Sequence, residues 1–189
     1  MVVTRPDLPP AALALLAPPP VSGPAYDTMR RGTRFLADMA AGAAFTTPWP
    51  AGQGGRIRAL YLGNCLRELD RFLHVLMDEI AGEGPGRPLS LRHTTANKLG
   101  GHAHARWDMA ADQTRLNALC RSRTCLFHDD GRVRRPDRPR GRWMTAGWPA
   151  PASTTLRRYA VGEPLHLSGA DLADTCAFYQ RLADRLVRA

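Results

Sequence analysis

The sequence has almost no lysine and little cysteine, and it lacks any long apolar run. Lys98 is the only lysine among 26 basic residues, and the four cysteines form neither a CxxC pair nor a disulfide framework. Disulfide-rich secreted domains have a different cysteine pattern. The apolar stretch at residues 11–16 is too short for a signal-peptide core, and no run reaches the roughly 20 residues of a membrane helix. We therefore expect a reduced, cytoplasmic protein without a membrane segment.

The composition is that of a globular protein with an unusual N-terminus. Hydrophobic residues make up 44% of the 189 residues and charged residues 23%, so one domain can bury its own core. Seven of the first 24 residues are proline, which disfavours regular structure there. The sequence therefore predicts a Pro-rich N-terminal arm at residues 1–24 and a helical domain at residues 25–189.

Apolar periodicity indicates a mainly α-helical bundle. Helices are predicted at about 26–44, at about 56–83, and from near Met109 to an Asp-Asp-Gly turn at 129–131. A last helix begins after Ser168, which forms a variant of the capping box with Asp171. The second helix has the clearest buried stripe, formed by Leu62, Leu66, Leu69, Leu73, Met77 and Ile80.

Three further segments are predicted with less regular structure. Residues 87–106 fit either a short helix or an ordered loop. Residues 132–153 are rich in Arg, Pro and Gly and are predicted to form a long basic surface loop. Residues 156–167 alternate loosely around a Val-Gly-Glu-Pro turn, which predicts a small β-hairpin near the C-terminus.

The net charge of +9 is concentrated in one segment. Residues 121–142 contain eight arginines and three aspartates. Such a cluster attracts phosphate backbones by releasing their counterions. A solvated loop would show the same composition, and a GC-rich genome would also favour arginine over lysine.

Arg123 and His128 lie five residues apart at the predicted end of the third helix. On a continuous helix they are about 140° apart around the axis, because one turn takes 3.6 residues. They would converge on one phosphate only if the helix end loosens or a second subunit completes the site. Alternatively, His128 only interacts with the negative end of the helix dipole.

The sequence around this pair resembles the Arg-x4-6-His motif of the HEPN superfamily of ribonucleases. Arg123 and His128 are followed by Asp-Asp-Gly-Arg-Val at 129–133, as in the RiboL-PSP-HEPN-like group. Residues 58–74 are similar to the early helix of that group, and residues 162–168 resemble its C-terminal ending. The sequence departs from the group at Thr124, where many members have Asn, and Arg121 offers an alternative Arg-x6-His reading.

The resemblance implies a dimeric helical fold and metal-independent endoribonuclease activity, without a cofactor. His128 would be the general acid or base, and Arg123 would stabilise the phosphorane. Two copies of the chain would supply both an acid and a base. The family's roles imply a toxin or antiviral-defence effector, with RNA as substrate and a neutralising antitoxin or defence-system protein as a partner.

Several other residues are candidates for supporting roles. Asp70 or Glu68 would hold Arg123 in place, while Arg121 and Thr124 would assist it. Trp143 and Trp148 would either stack on bases or anchor the basic loop from within the core. The first predicted contacts with the RNA backbone are Arg132, Arg134 and Arg135, and the arginines at 138, 140 and 142 of the same loop are further candidates. Alternatively, this loop is only a disordered charged segment.

Other functions remain open on the same residues. A non-catalytic HEPN-like module that binds RNA or a protein would also explain the basic loop. His102 and His104, together with Cys120 and Cys125, would offer nitrogen and sulfur ligands to zinc, although their spacing matches no closed zinc module. A helical DNA-binding or metal-stabilised regulator is therefore the third candidate.

Overall fold

The computed structural model describes residues 23–42, 53–82, 94–101 and 108–189. This part of the chain is mainly α-helical, as predicted, with one two-stranded antiparallel sheet. None of the described helices is long and apolar enough to cross a membrane. Residues 1–22 of the predicted arm lie outside the described residues, and Pro24 already belongs to the first helix. The elements are α1 Pro24–Ala40, α2 Gln53–Ile80, α3 Thr95–Gly100, α4 Ala110–His128, β1 Trp143–Pro149, β2 Leu156–Ala160 and α5 Gly169–Arg188.

Helix α2 lies at the centre of the helical part and packs against α1, α4 and α5. Its predicted stripe is buried from Leu62 to Met77, whereas Ile80 at the helix end is partly exposed. One buried face with a charged face opposite is the pattern that apolar spacing detects. The position of α2 was therefore predictable from the sequence.

The ends of two helices also follow the sequence. Ser168 Oγ accepts a hydrogen bond from Asp171 N at 3.1 Å, and Asp171 Oδ2 accepts one from Ser168 N at 2.9 Å. This reciprocal pair is the predicted capping box at the start of α5. Helix α4 ends at His128, and Gly131 has a φ of +73° in the turn that follows. The short helix α3 lies within segment 87–106, for which the sequence allows either a short helix or an ordered loop.

The predicted surface loop at 132–153 is wrong in its second half, because residues 143–149 form β1. Met144, Ala146 and Trp148 of this strand are buried and belong to the core. A small antiparallel β-hairpin near the C-terminus is present as predicted, but its bounds are shifted from 156–167. Strand β2 pairs with β1, in the register Trp143↔Ala160 and Thr145↔Arg158, so its partner lies upstream.

Strand β1 lies so close to α4 that one position requires glycine. Gly147 N donates a hydrogen bond to Ser122 Oγ at 3.1 Å. A Cβ atom on Gly147 would lie 2.3 Å from Leu119 Cγ and 2.8 Å from Leu119 Cα. The second contact involves the backbone of α4, so a change of side-chain rotamer does not relieve it.

We expect Gly147→Ala to destabilise the protein by about 1–3 kcal/mol, because β1 must move away from α4 to make room. Urea denaturation followed by circular dichroism measures the change. Gly55→Ala is the matched control, since no atom lies within 4 Å of its added Cβ and it sits in α2. The control should stabilise the helix by about 0.5–1 kcal/mol. Equal stabilities for wild type and Gly147→Ala would contradict the close packing.

Candidate functional site

A polar cavity of about 230 Å³ lies between α2, the start of α3 and α4. Helix α4 contributes Leu116, Cys120 and Arg123, which share one face because they are spaced by four and three residues. Helix α2 contributes two residues one turn apart. The polar residues that line the cavity are Asp70, His74, Thr94, Thr95, Asn117, Cys120 and Arg123.

Arg123 is fixed in this cavity by an ion pair with α2. Its Nη1 lies 2.8 Å from Asp70 Oδ2, and its Nη2 lies 3.6 Å from Cys120 Sγ. The two charged side chains are only 27% and 23% exposed. The structure therefore brings together Arg123 and Asp70, which were predicted as partners.

The electrostatics around the pair keep Arg123 charged. Burial alone would lower the pKa of Arg123, but the nearby Asp70 carboxylate outweighs it, and the net pKa is raised. Tyr179 of α5 is fully buried beside the pair, and burial, reinforced by Asp70, holds its pKa well above the usual value. Tyr179 is therefore a neutral phenol, and the cavity has a permanent cation and no phenolate.

His74 belongs to a second polar chain in the cavity wall. Its Nε2 lies 3.8 Å from Asp78 Oδ2, and the Asp78 carboxylate also binds Lys98 of α3. Burial lowers the pKa of Lys98. Asp70 and His74 lie one turn apart on α2, and the structure pairs them with Arg123 and Asp78 respectively. The spacing 70, 74, 78 marks one face of a helix and is the signal that could have identified His74.

His128 does not line this cavity. It is the last residue of α4, is exposed, and has its ring 5.3 Å from that of Phe127. Within one chain, the two motif residues therefore stay apart, as the angle between them on a helix requires.

The predicted supporting residues on α2 and α4 have different partners. Glu68 does not reach Arg123, because its carboxylate pairs with Arg67 at 3.4 Å and Arg71 at 3.7 Å on the exposed side of α2. Arg121 pairs with Asp137 at 2.9 Å. The hydroxyl of Thr124 donates to the Cys120 carbonyl oxygen at 3.0 Å, inside α4.

Of the first three arginines predicted to contact RNA, two have partners within the chain. Arg132 donates to the Gly162 carbonyl oxygen, and Arg134 pairs with Asp129 at 3.6 Å. Arg135 is exposed and has no ion pair with any described residue. Arg132 and Arg134 thus hold the loop in shape, and their contact with RNA stays a prediction.

Only two of the four proposed zinc ligands lie within the described residues. His102 and His104 lie outside the described residues. Cys120 lines the cavity, whereas Cys125 is buried, and burial raises its pKa to about 11. The described residues contain no group of three or more His, Cys, Asp or Glu side chains that could hold a metal ion.

The cavity combines a fixed cation, a carboxylate, an imidazole, an amide and hydroxyls. These groups can bind a phosphate ester through Arg123 and a polar ring through Asn117 and Thr94. Comparisons with protein-family models, curated proteins and solved structures gave no match for this chain.

We expect Asp70→Asn to lower the free energy of unfolding by about 1–2 kcal/mol, because it leaves a half-buried guanidinium without its counter-charge. Chemical denaturation at neutral pH measures the loss. Asp38→Asn is the control, since its ion pair with Arg34 spans 4.0 Å and is largely exposed. The control should cost about 0.5 kcal/mol or less. If the two variants lose equal stability, Asp70 does not hold Arg123.

Proposed function

We propose that this chain is a metal-independent endoribonuclease of the HEPN type that works as a homodimer. The helical part would then be a HEPN-like bundle. The observation that carries the proposal is the placement of Arg123, held by Asp70 at a polar cavity about one and a half turns before the exposed His128. The motif resemblance and the pre-positioned cation support each other, because each concerns the same helix end.

The reaction needs only the groups that two copies of this helix end would supply. The 2′-oxygen of the RNA attacks the adjacent phosphorus while its proton moves to a neutral imidazole. The bond to the 5′-oxygen breaks, and that oxygen takes a proton from an imidazolium. In our proposal His128 of each chain supplies one of these imidazoles, and Arg123 binds the phosphorane oxygens. The products are a 2′,3′-cyclic phosphate and a free 5′-hydroxyl.

The geometry of one chain supports the dimer in this proposal. Arg123 faces the cavity, and His128 lies exposed at the end of α4, so a single copy presents no complete site. A two-fold axis beside the helix ends would bring both pairs to one phosphate. Uncontrolled cleavage would damage the cell's own RNA. We therefore include a cytoplasmic setting and a neutralising antitoxin or defence-system partner in the proposal.

A non-catalytic module that binds RNA or a protein is the second candidate. It is favoured by the ion pair itself, because Asp70 neutralises Arg123 within the chain at 2.8 Å. In that case Arg123 would hold α2 and α4 together, and the exposed arginines of the basic loop would make the contacts. The two candidates differ in whether His128 is needed for RNA cleavage.

We expect purified protein to cleave a labelled single-stranded RNA in EDTA and to leave 2′,3′-cyclic phosphate ends. His128→Ala should slow cleavage at least about 100-fold, because it removes the proton-transfer group. His166→Ala is the matched control, since His166 is also exposed and contributes only its backbone carbonyl to a hydrogen bond with Tyr159. The control should cleave at the wild-type rate.

The same assay separates the alternatives. Cleavage by His128→Ala at the wild-type rate would contradict the assigned role of His128. If neither protein cleaves a range of RNAs, even after removal of any bound partner, the second candidate gains support. A loss of activity in both histidine variants would indicate a general defect of folding, which circular dichroism detects.

A further inference from the structure

The acidic residues of the basic segment are already paired with other arginines. Asp129 pairs with Arg134 at 3.6 Å, and Asp130 pairs with Arg56 of α2 at 3.2 Å. The third acid is the Asp137 that pairs with Arg121. All three aspartates of residues 121–142 are thus occupied, and none of them is left to neutralise the rest of the segment.

Five exposed arginines remain beside this paired set. None of them forms an ion pair with a residue in the described part of the chain. One, Arg158, lies on β2, and the others lie on the loop that leads into β1. They are Arg135, Arg138, Arg140, Arg142 and Arg158.

The loop that carries these arginines has a defined shape. The Asp137 carboxylate accepts hydrogen bonds from Thr145 N at 3.0 and 3.1 Å and from the Thr145 hydroxyl. Asp137 N donates to the Trp143 carbonyl oxygen at 2.9 Å. These bonds fold the loop back onto β1, so the loop arginines are presented next to the sheet.

An exposed tryptophan stands on the outer face of the same sheet. Side chains alternate along a strand, and Met144 and Trp148 face the core, whereas Trp143 faces outward. The guanidinium of Arg158, near Trp143 across the strand pair, lies 5.5 Å from the centre of its ring. Trp143 is nevertheless 44% exposed, so much of its ring is accessible.

We infer that this surface, the Trp143 platform, binds single-stranded nucleic acid. It consists of Trp143, Arg158 and the exposed loop arginines at 135, 138, 140 and 142. Bases stack on exposed aromatic rings and arginines bind the phosphates, and the combination is typical of single-strand binding. A duplex hides the flat faces of its bases inside the stack, so it would meet only the arginines.

The inference deepens the proposed function. It rests on that function only where it takes the bound strand to be the RNA substrate. The loop with the platform arginines begins directly after His128. Gly131 in the turn accepts a hydrogen bond from Leu165 N at 2.6 Å, and Arg132 bridges to Pro164. The end of α4 is therefore joined to the segment that directly follows β2, and a strand on the platform would lead towards His128.

Binding of a fluorescent 12-nucleotide DNA strand, measured by anisotropy, tests the platform without cleavage, because DNA has no 2′-hydroxyl. We expect the single strand to bind at least about tenfold more tightly than the same sequence as a duplex. Trp143→Ala and Trp143→Leu should each weaken binding about tenfold, whereas Trp143→Phe should keep most of the affinity.

Salt dependence tests the arginines. The triple variant Arg138→Gln, Arg140→Gln, Arg142→Gln should make the plot of log affinity against log salt less steep by about 2, at about 0.7 per lost phosphate contact. The control replaces Arg30, Arg31 and Arg34 of α1 by Gln, with the same change in charge. It should leave the slope unchanged.

Four results would overturn the inference. The first three are equal affinity for duplex and single strand, equal affinity for vesicles containing anionic phosphatidylglycerol, and wild-type affinity in correctly folded Trp143→Ala and Trp143→Leu. An equal effect of the two triple variants on the salt dependence would also overturn it. Binding would then depend on the net charge of the protein and not on the platform arginines. Strand binding with the predicted variant effects but no RNA cleavage would preserve the platform and contradict the proposed nuclease.

Discussion

Helix α4 is packed on two sides at once, and this constraint determines where the functional groups of the molecule point. On one side, Arg123 is paired with Asp70 of α2 at 2.8 Å. On another, the helix backbone at Leu119 approaches Gly147 of β1 so closely that only glycine fits. A helix held from both sides cannot rotate about its axis without breaking one of these contacts. The direction of Arg123 into the cavity, and of His128 out to solvent at the helix end, is therefore a consequence of core packing.

The same packing explains which elements were predictable. Helices α2 and α5 each bury one face, so their apolar residues recur with the helical period and their positions follow from the sequence, although α2 begins and ends about three residues before the predicted bounds of 56 and 83. Strand β1 was missed because its burial comes from tertiary contacts with α4 and from pairing with β2. Its flanks are rich in Arg, Pro and Gly, which predict a loop when read locally. A turn is present at 161–162, within the predicted Val-Gly-Glu-Pro turn, but β2, which precedes it, pairs with β1 upstream.

The candidate site was predictable to the extent that it depends on positions along a helix. The separation of Arg123 and His128 follows from helix geometry, and the pairing of Asp70 with Arg123 was expected. The chain of His74, Asp78 and Lys98 was not, because Lys98 comes from α3 and its approach to α2 depends on tertiary structure. Glu68 is two residues from Asp70 and therefore lies on another side of α2. Helix geometry alone therefore predicts that Glu68 and Asp70 cannot both face Arg123.

The separation of charge across the molecule bears on how the two proposals relate. In the cavity each cation faces a carboxylate, so Arg123 has little surplus attraction for a distant polyanion and acts only on a phosphate that has arrived. On the Trp143 platform the local aspartates are already paired, and five exposed arginines have no ion pair among the described residues. In the two proposals, the platform arginines thus attract the nucleic acid over a distance, whereas Arg123 positions a phosphate at short range. Because the two sets lie on opposite sides of residue 128 along the chain, the two proposals can be tested by separate substitutions, and a variant that lacks the proposed catalytic groups would, on the second proposal, still bind a single strand.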